Sequence, residues 1–465
     1  MVGLPHDPRR ETFDVEVEAL LRDGSIEGSG HGAIESARAA VAAGVGFSGW
    51  TALQSYLDVA DVYRRDNDPH IATETIPDEF CRLACLTYSD DPPERRAAAR
   101  ELLGVHPDLT ADHIWAAAAA ADADAIRRLL AMRPALANQD GGPYGWKPLH
   151  YLTYSRVEHG DVMRATRLLL RAGADPNAGY LWCGMPTPFT VLTGVFGEGE
   201  QGPGATPRHP QVDALGELLL SAGANANDGQ ALYNRMFTPD NSHLTLLFAH
   251  GLGDGDGGPW KALLGEAMDG PREMVDGQLG WAVRHGFADR IELLIAHGVD
   301  VTKVLRDGRT AAEVATANGD RRIVELLVAA GADRPRLDGL PAYVAAVLAN
   351  DAEEASRGDD AWRTAALAAH PDLVVRAVET GRSESIGLLA ALGFDVDARR
   401  DGETALHRAA WIGDIPAARA LLSAGADPTA VDDTFGATPI GWAEQAGQAE
   451  FIAFLEPRAE GAIQA

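Results

Sequence analysis

Asp401-Gly402-Glu403-Thr404-Ala405-Leu406-His407, followed by Leu421-Leu422-Ser423-Ala424-Gly425-Ala426-Asp427, decides how this chain is read. The first string is a tight turn with Thr404 as the N-cap of a helix. The second is a helix end. Leu169-Leu170-Arg171-Ala172-Gly173-Ala174-Asp175 repeats that ending almost letter for letter, far away in the chain. A sequence that copies one supersecondary unit predicts pairs of helices, each burying its apolar side on the next pair.

Working outward, the equivalents of Gly425 are His106, Arg133, Gly173, Gly223, Gly251, Gly298, Gly331, His370 and Gly393. The steps to Gly331 and to Gly425 lie close to the period of about 33 residues of a turn-and-two-helix unit. Leucine pairs such as Leu219-Leu220 and Leu326-Leu327 are placed on the buried side of a helix, which glycine then ends in the left-handed conformation. Asp175, Asn225, Asp300, Asp333, Asp395 and Asp427 follow two residues later, where a short polar side chain holds its own turn. At His106-Pro107, Arg133-Pro134 and His370-Pro371 proline stops the helix instead. Pro148, Pro188 and Pro439 stand where a first helical turn accepts proline, and Ala315 and Ala409-Ala410 allow close helix approach.

These residues resemble the ankyrin repeat, whose pattern runs Asp-x-x-Gly-x-Thr-Pro-Leu-His, a small-residue stretch, then Leu-Leu-x-x-Gly-Ala-Asp. The match is nearly complete at 401–431 and good at 140–178, 306–336 and 432–456. It is split by an insertion at 179–228 and degenerate at 78–140 and 338–400. More loosely, the layout is similar to actinobacterial ankyrin-repeat proteins, a bacterial group without an assigned biochemical role. The resemblance implies an all-α fold: an ankyrin-repeat solenoid of about eleven helix-turn-helix units with an N-terminal helical cap. It also implies that His150 and His407 hydrogen-bond neighbouring turn backbone. Such arrays host many unrelated binding roles, so the resemblance speaks to fold more than to function.

Residues 1–33 read as a mobile lead-in, with Pro5, Pro8, a short helix around Glu16 to Leu21, then Gly24, Gly28, Gly30 and Gly32. Residues 34–76 read as the cap, in which Trp50, Leu53, Tyr56 and Leu57 recur on one helix face. The solenoid is expected over 77–460, opening with helices near 77–88 and 92–104 and closing on Ala443, Phe451, Ile452 and Leu455. Insertions are expected at 196–211 and 254–277, the second with a helical stretch from Trp260 to Met268, and a smaller surplus at Ser155 to Asp161. Extra loops on a regular rod concentrate function.

The chain has 465 residues, with 40 Lys+Arg against 68 Asp+Glu and a formal net charge of -28. That field repels phosphates, so neither nucleic acid nor an anionic membrane is an expected partner. Three cysteines make no disulfide framework and fit a reducing, cytoplasmic setting. Met1 to Leu21 has no apolar core of a secretory signal, and no run reaches the roughly 20 apolar residues of a membrane span.

Catalytic chemistry is weakly signalled. Gly197-Glu198-Gly199-Glu200-Gln201-Gly202 fits a dinucleotide fingerprint in letters alone, since it follows a helix and carries two glutamates that would repel phosphate. Cys81 and Cys85 lack a second pair of metal ligands at finger-like spacing and read as core. His250 and His297 sit at helix ends, where positive charge complements the dipole. No catalytic residue, cofactor or metal is expected.

The expected partner-binding residues are aromatic: Tyr144 and Trp146 before one helix pair, Tyr180 and Trp182 in the next turn, then Tyr233 with Arg235 in the one after. Equivalent turns of stacked units project side by side, and Tyr, Trp and Arg dominate binding hot spots. The alternative is that these rings pack under the insertions. The expected function is a protein-binding scaffold or adaptor, with a basic partner fitting the charge. An enzyme or small-ligand binder whose inserted loops close a pocket over Arg208, His209 and Arg235 for a small anion or sugar, and a self-associating structural protein, are the rivals.

Overall fold

The structure, a computed structural model, describes residues 3–23, 25–26, 30–357 and 360–463; Gly24 and Gly28 of the expected lead-in lie outside them. The described chain is mostly helical and divides into two compact units. One comprises residues 3–200, 205–235 and 242–274, the other residues 201–204, 236–241 and 275 onward.

In the first unit, inner helices Ile114–Ala119, Pro148–Tyr154, Val191–Phe196 and Gly229–Arg235 pack one on the next. Outer helices Ala123–Met132 and Val162–Arg171 pack likewise, as do Val212–Ser221 and Ser242–Ala249. Helix ends follow the glycine expectation: Gly173 has φ 88° and Gly223 φ 100°, and Ala174 N–H reaches back to Leu169 O at 3.0 Å. One device links successive turns. The Asn177 amide donates to Gly223 O and accepts from Asn225 N–H, both at 2.8 Å. Asn138 does the same to Gly173 O and Asp175 N–H, and Asn227 to Asp254 O and Gly253 N–H.

The N-terminal segment differs from its expected form. Helix Arg10–Arg22 buries Phe13 and Val17, and a second helix starts at His31, so residues before 34 are not simply a loose lead-in. Helix Trp50–Tyr63 buries Leu53, Tyr56, Leu57 and Ala60, but it does not sit as an end-cap over the opening helices Ile76–Ala84 and Pro93–Val105. It packs against strand Gly179–Trp182 and the inserted helix Gly258–Leu264. Strand Arg64–Arg65 then runs parallel to Leu181–Trp182, which pairs antiparallel with Pro188–Thr190. The turn hairpin leaves backbone groups unpaired along its edge, and the N-terminal strand satisfies them.

The second unit carries the part of helix Pro271–Arg284 from residue 275 on, then Ala288–Ala296, and Ala311–Ala317 with Arg321–Ala329. The degenerate stretch forms Gly339–Leu348, Ala352–Arg357, Asp360–Ala369, Leu373–Glu379 and Ile386–Ala391. Ala405–Ile412 with Ile415–Ser423 and Pro439–Gln445 with Ala449–Ile463 complete it, the last helix continuing through Pro457 where fraying was expected. Stacking here is not purely between sequence neighbours. Arg376 donates to Ala317 O and Asn318 Oδ1 at 2.9 Å, and Gly286 lies so close to Thr380 O that a Cβ would stand 2.3 Å away.

Candidate functional site

The expected aromatic stripe is mostly core. Tyr144, Trp146 and Tyr180 are buried, and Trp146 stacks on Tyr180 with ring centroids 5.3 Å apart. Tyr144 meets Trp146 at 4.6 Å, and Tyr180 meets Phe189 at 5.5 Å. What covers Tyr180 and its turn is the N-terminal segment: Tyr56 OH donates to Gly184 O, Asn67 Nδ2 to Tyr180 OH, and Arg64 Nη1 to Cys183 O at 2.9 Å. The second insertion adds Trp260, whose indole donates to Asn177 O at 2.9 Å and meets Tyr63 edge-on. These rings are therefore not a solvent-facing stripe. Trp182 is half-buried, edge-on to Phe189, and Tyr233 is partly exposed, its hydroxyl on Glu200.

The arginines expected to gather a small anion instead gather a carboxylate of the chain. Buried Glu198 pairs with buried Arg235 and, at 3.2 Å, with Arg208. His209 is buried, its Nδ1 accepting from Gln211 N–H at 3.1 Å, and burial pushes its pKa down to about 3. Arg156 stitches the insertion down, donating to Gly194 O at 2.6 Å and Pro207 O at 2.7 Å. Under the second insertion a recess lined by Asn177, Thr190, Asn227, Asp228 and Trp260 has a free volume of about 10 Å³, room for one water. Cys81 and Cys85 are buried thiols whose pKa values burial raises, and no group of three or more metal-ligating side chains occurs among the described residues.

His150 and His407 do what the resemblance implies: their Nε2 atoms lie 3.4 Å from Phe189 O and 3.1 Å from Ala437 O in the next turn. Burial pushes His150 down to about 3, so its ring stays neutral at ordinary pH.

The second unit presents a different surface at its last two turns. Strands Arg399–Arg400 and Glu403–Thr404 form a hairpin that pairs with the next turn through Asp433 N–H to Gly402 O at 3.0 Å. Arg399 spans the two, on Asp433 at 2.9 Å. In that next turn, buried Asp432 accepts N–H groups of Thr434, Phe435 and Ala437 at 2.8, 2.6 and 2.9 Å, and the Trp442 indole at 3.0 Å. Burial opposes its ionisation, but these donors outweigh it and hold the carboxyl well below the usual range. Over this clamp Phe435 projects with 77% of its surface exposed, beside Val431 at 48%. Phe435 meets Trp442 edge-on at 6.4 Å and Trp442 meets Trp411 at 5.9 Å, the far edge of Trp411 lying against Gly202. From the hairpin Arg400 bridges Asp372 and Glu379 at 2.6 Å, and Arg408 on helix Ala405–Ile412 pairs with Glu403.

Against known families, a model described as ankyrin repeats (many copies) matches residues 374–422. No curated protein matches the chain. The chain thus carries ankyrin-repeat sequence across the helix pairs that lead into this surface, and ankyrin repeats are generally protein-interaction modules. No described helix is long and apolar enough to cross a membrane.

The sequence reading passed over Phe435 and Trp442 because it weighed aromatic residues only near the insertions. The usable signal was Asp432-Asp433-Thr434-Phe435-Gly436: an Asx-type turn with a large ring at a position that packing does not require.

Proposed function

We propose that the chain is a non-enzymatic cytoplasmic scaffold that captures a protein partner on the turns and inner helices of its second unit. One contrast carries this reading. Tyr144, Trp146 and Tyr180 in the first unit are buried, Tyr180 beneath the chain's own N-terminal segment, while Phe435, Val431 and Trp442 present a clamped, partly exposed apolar surface. A rigid turn loses little entropy on association, so its contacts convert efficiently into affinity. The net charge of -28 favours a basic partner over nucleic acid or an anionic lipid surface. The three free cysteines fit a reducing compartment. The enzymatic alternative loses ground because Glu198 already occupies the arginines on which it depended.

Site-specific photo-crosslinking in the source cells tests the scaffold reading. A crosslinker at position 435, and another at exposed Val304 in an earlier turn, should trap a discrete protein. One at exposed Met132, on an outer helix of the first unit, should not. Equal trapping from all three positions, or none from 435 and 304, refutes it.

A further inference from the structure

We infer that the Phe435 turn docks a cationic segment of the partner protein, seating an arginine or lysine side chain over the exposed ring and its carboxylate surround. This rests on the scaffold reading and names the chemistry of what binds there. Three observations combine. The Phe435 ring is presented, not loose: Asp432 fixes the backbone N–H groups on both sides of it and the indole beneath. An exposed ring face attracts cations through its quadrupole, and Trp442 adjoins it edge-on.

Charge around the tip is one-sided. The two paired turns carry Asp395, Asp397, Asp401, Asp427 and Asp433, against Arg399 and Arg400. Both arginines are already committed, Arg399 to Asp433 and Arg400 to Asp372 and Glu379. Asp395, Asp401 and Asp427 have no ion-pair partner among the described residues. An exposed apolar anchor on turns with a surplus of carboxylates is complementary to a basic segment and repels an acidic one.

Fluorescence anisotropy on the full chain tests this, using a labelled nine-residue peptide of alternating arginine and leucine and its glutamate–leucine counterpart. The arginine peptide should bind and the glutamate peptide should not. Phe435→Ala, and separately the pair Asp401→Asn with Asp433→Asn, should each weaken binding at least tenfold. Asp14→Asn with Glu18→Gln, an equal charge change on helix Arg10–Arg22, should stay within twofold. Phe435 is exposed, so its truncation should leave the urea midpoint unchanged, and the circular dichroism spectrum checks that.

Wild-type affinity in Phe435→Ala overturns the inference, because binding would then be general attraction to an acidic protein. Equal binding of both peptides overturns it by removing the charge requirement. A partner crosslinked at position 435 through an acidic segment also overturns it while leaving the scaffold reading intact. Loss of all crosslinking alongside ring-dependent peptide binding would fail the scaffold reading alone.

Discussion

Asp397→Asn should make the second unit more stable. In the first unit, the residues four places after the helix ends Gly173 and Gly223 are asparagines that both donate and accept across the turn-to-turn boundary, as Asn177 does at 2.8 Å in each direction. Asp397 holds the equivalent place after Gly393 but only accepts, both its oxygens lying 3.1–3.2 Å from Asp427 N–H. Burial, with the charges of Asp395 and Asp427, raises its pKa. With a small χ2 rotation an amide could take the same N–H and also donate to the Gly425 carbonyl. One such bond contributes about 0.5–1.5 kcal/mol, and removing a like charge adds to it. For a unit of this size that is a rise in thermal midpoint of about 2–4 °C per kcal/mol.

The sign of the pH dependence follows from linkage. A carboxyl whose folded pKa exceeds its unfolded value of about 3.9 contributes stability present below that unfolded value and lost as pH rises through the folded one. The advantage of the Asp397→Asn variant should therefore be complete at pH 7.5 and shrink at pH 3.5. Urea titrations of both proteins at both pH values, followed by circular dichroism, measure it. The converse change, Asn177→Asp, should cost about 0.5–1.5 kcal/mol by removing the donor to the solvent-exposed Gly223 carbonyl. An unchanged or lower midpoint for Asp397→Asn at pH 7.5 would refute the reasoning.

Three further outcomes follow from the same geometry. Arg156→Met should destabilise the first unit by about 3 kcal/mol or more, because a buried guanidinium serving Thr153, Ser155, Gly194 and Pro207 carbonyls is lost; faster proteolysis within 196–211 would report it, and unchanged cleavage would count against it. Trp146→Ala should cost about 3–5 kcal/mol, whereas Phe435→Ala should move the urea midpoint little; similar effects from both would mean the two rings had been placed wrongly. His150, held neutral by burial with a pKa of about 3, contributes stability present above its unfolded pKa and lost as pH falls below it. Between pH 6.5 and 5 the loss should steepen towards about 1.4 kcal/mol per pH unit, and it should be visibly smaller in His150→Gln.

The helix ends, their glycines and the bridging histidines were legible because each is a local bargain between one residue and its own backbone. Gly173 needs its positive φ whatever lies elsewhere, and His407 meets the adjacent turn in a stack of this kind. The asparagine links were missed, although Asn138, Asn177 and Asn227 stand at nearly constant spacing after the helix ends. What could not be read was the cover on the first unit. Tyr144, Trp146 and Tyr180 look the same in sequence whether a turn is bare or roofed, and the roof comes from Trp50 to Asn67. Arg64 and Arg65 give no sign, by composition, that they align beside Leu181 and Trp182. Glu198 was legible by half: its charge argued against a phosphate site, but its role as counter-ion to Arg235 depends on a helix more than thirty residues away.

Under the proposed scaffold function, that roof would also direct a partner to the second unit. A partner competing for the first unit's turns would have to expose Leu53, Tyr56 and Leu57, all essentially buried. At about 1.5–3 kcal/mol for each side chain, the loss is about 6 kcal/mol before the strand pairing and the Tyr56, Arg64 and Asn67 hydrogen bonds are counted. About four orders of magnitude of affinity would go to displacement alone. The N-terminal segment thus behaves as a permanent part of the first unit and not as a lid. Hydrogen exchange distinguishes the two. The Cys183 amide, which donates to Arg65 O at 3.0 Å, should exchange as slowly as the amides of helix Pro148–Tyr154, through the same global opening. A Cys183 amide that exchanges orders of magnitude faster while that helix stays protected would show the segment lifting on its own, and the first unit's aromatic turns would again be open to a partner.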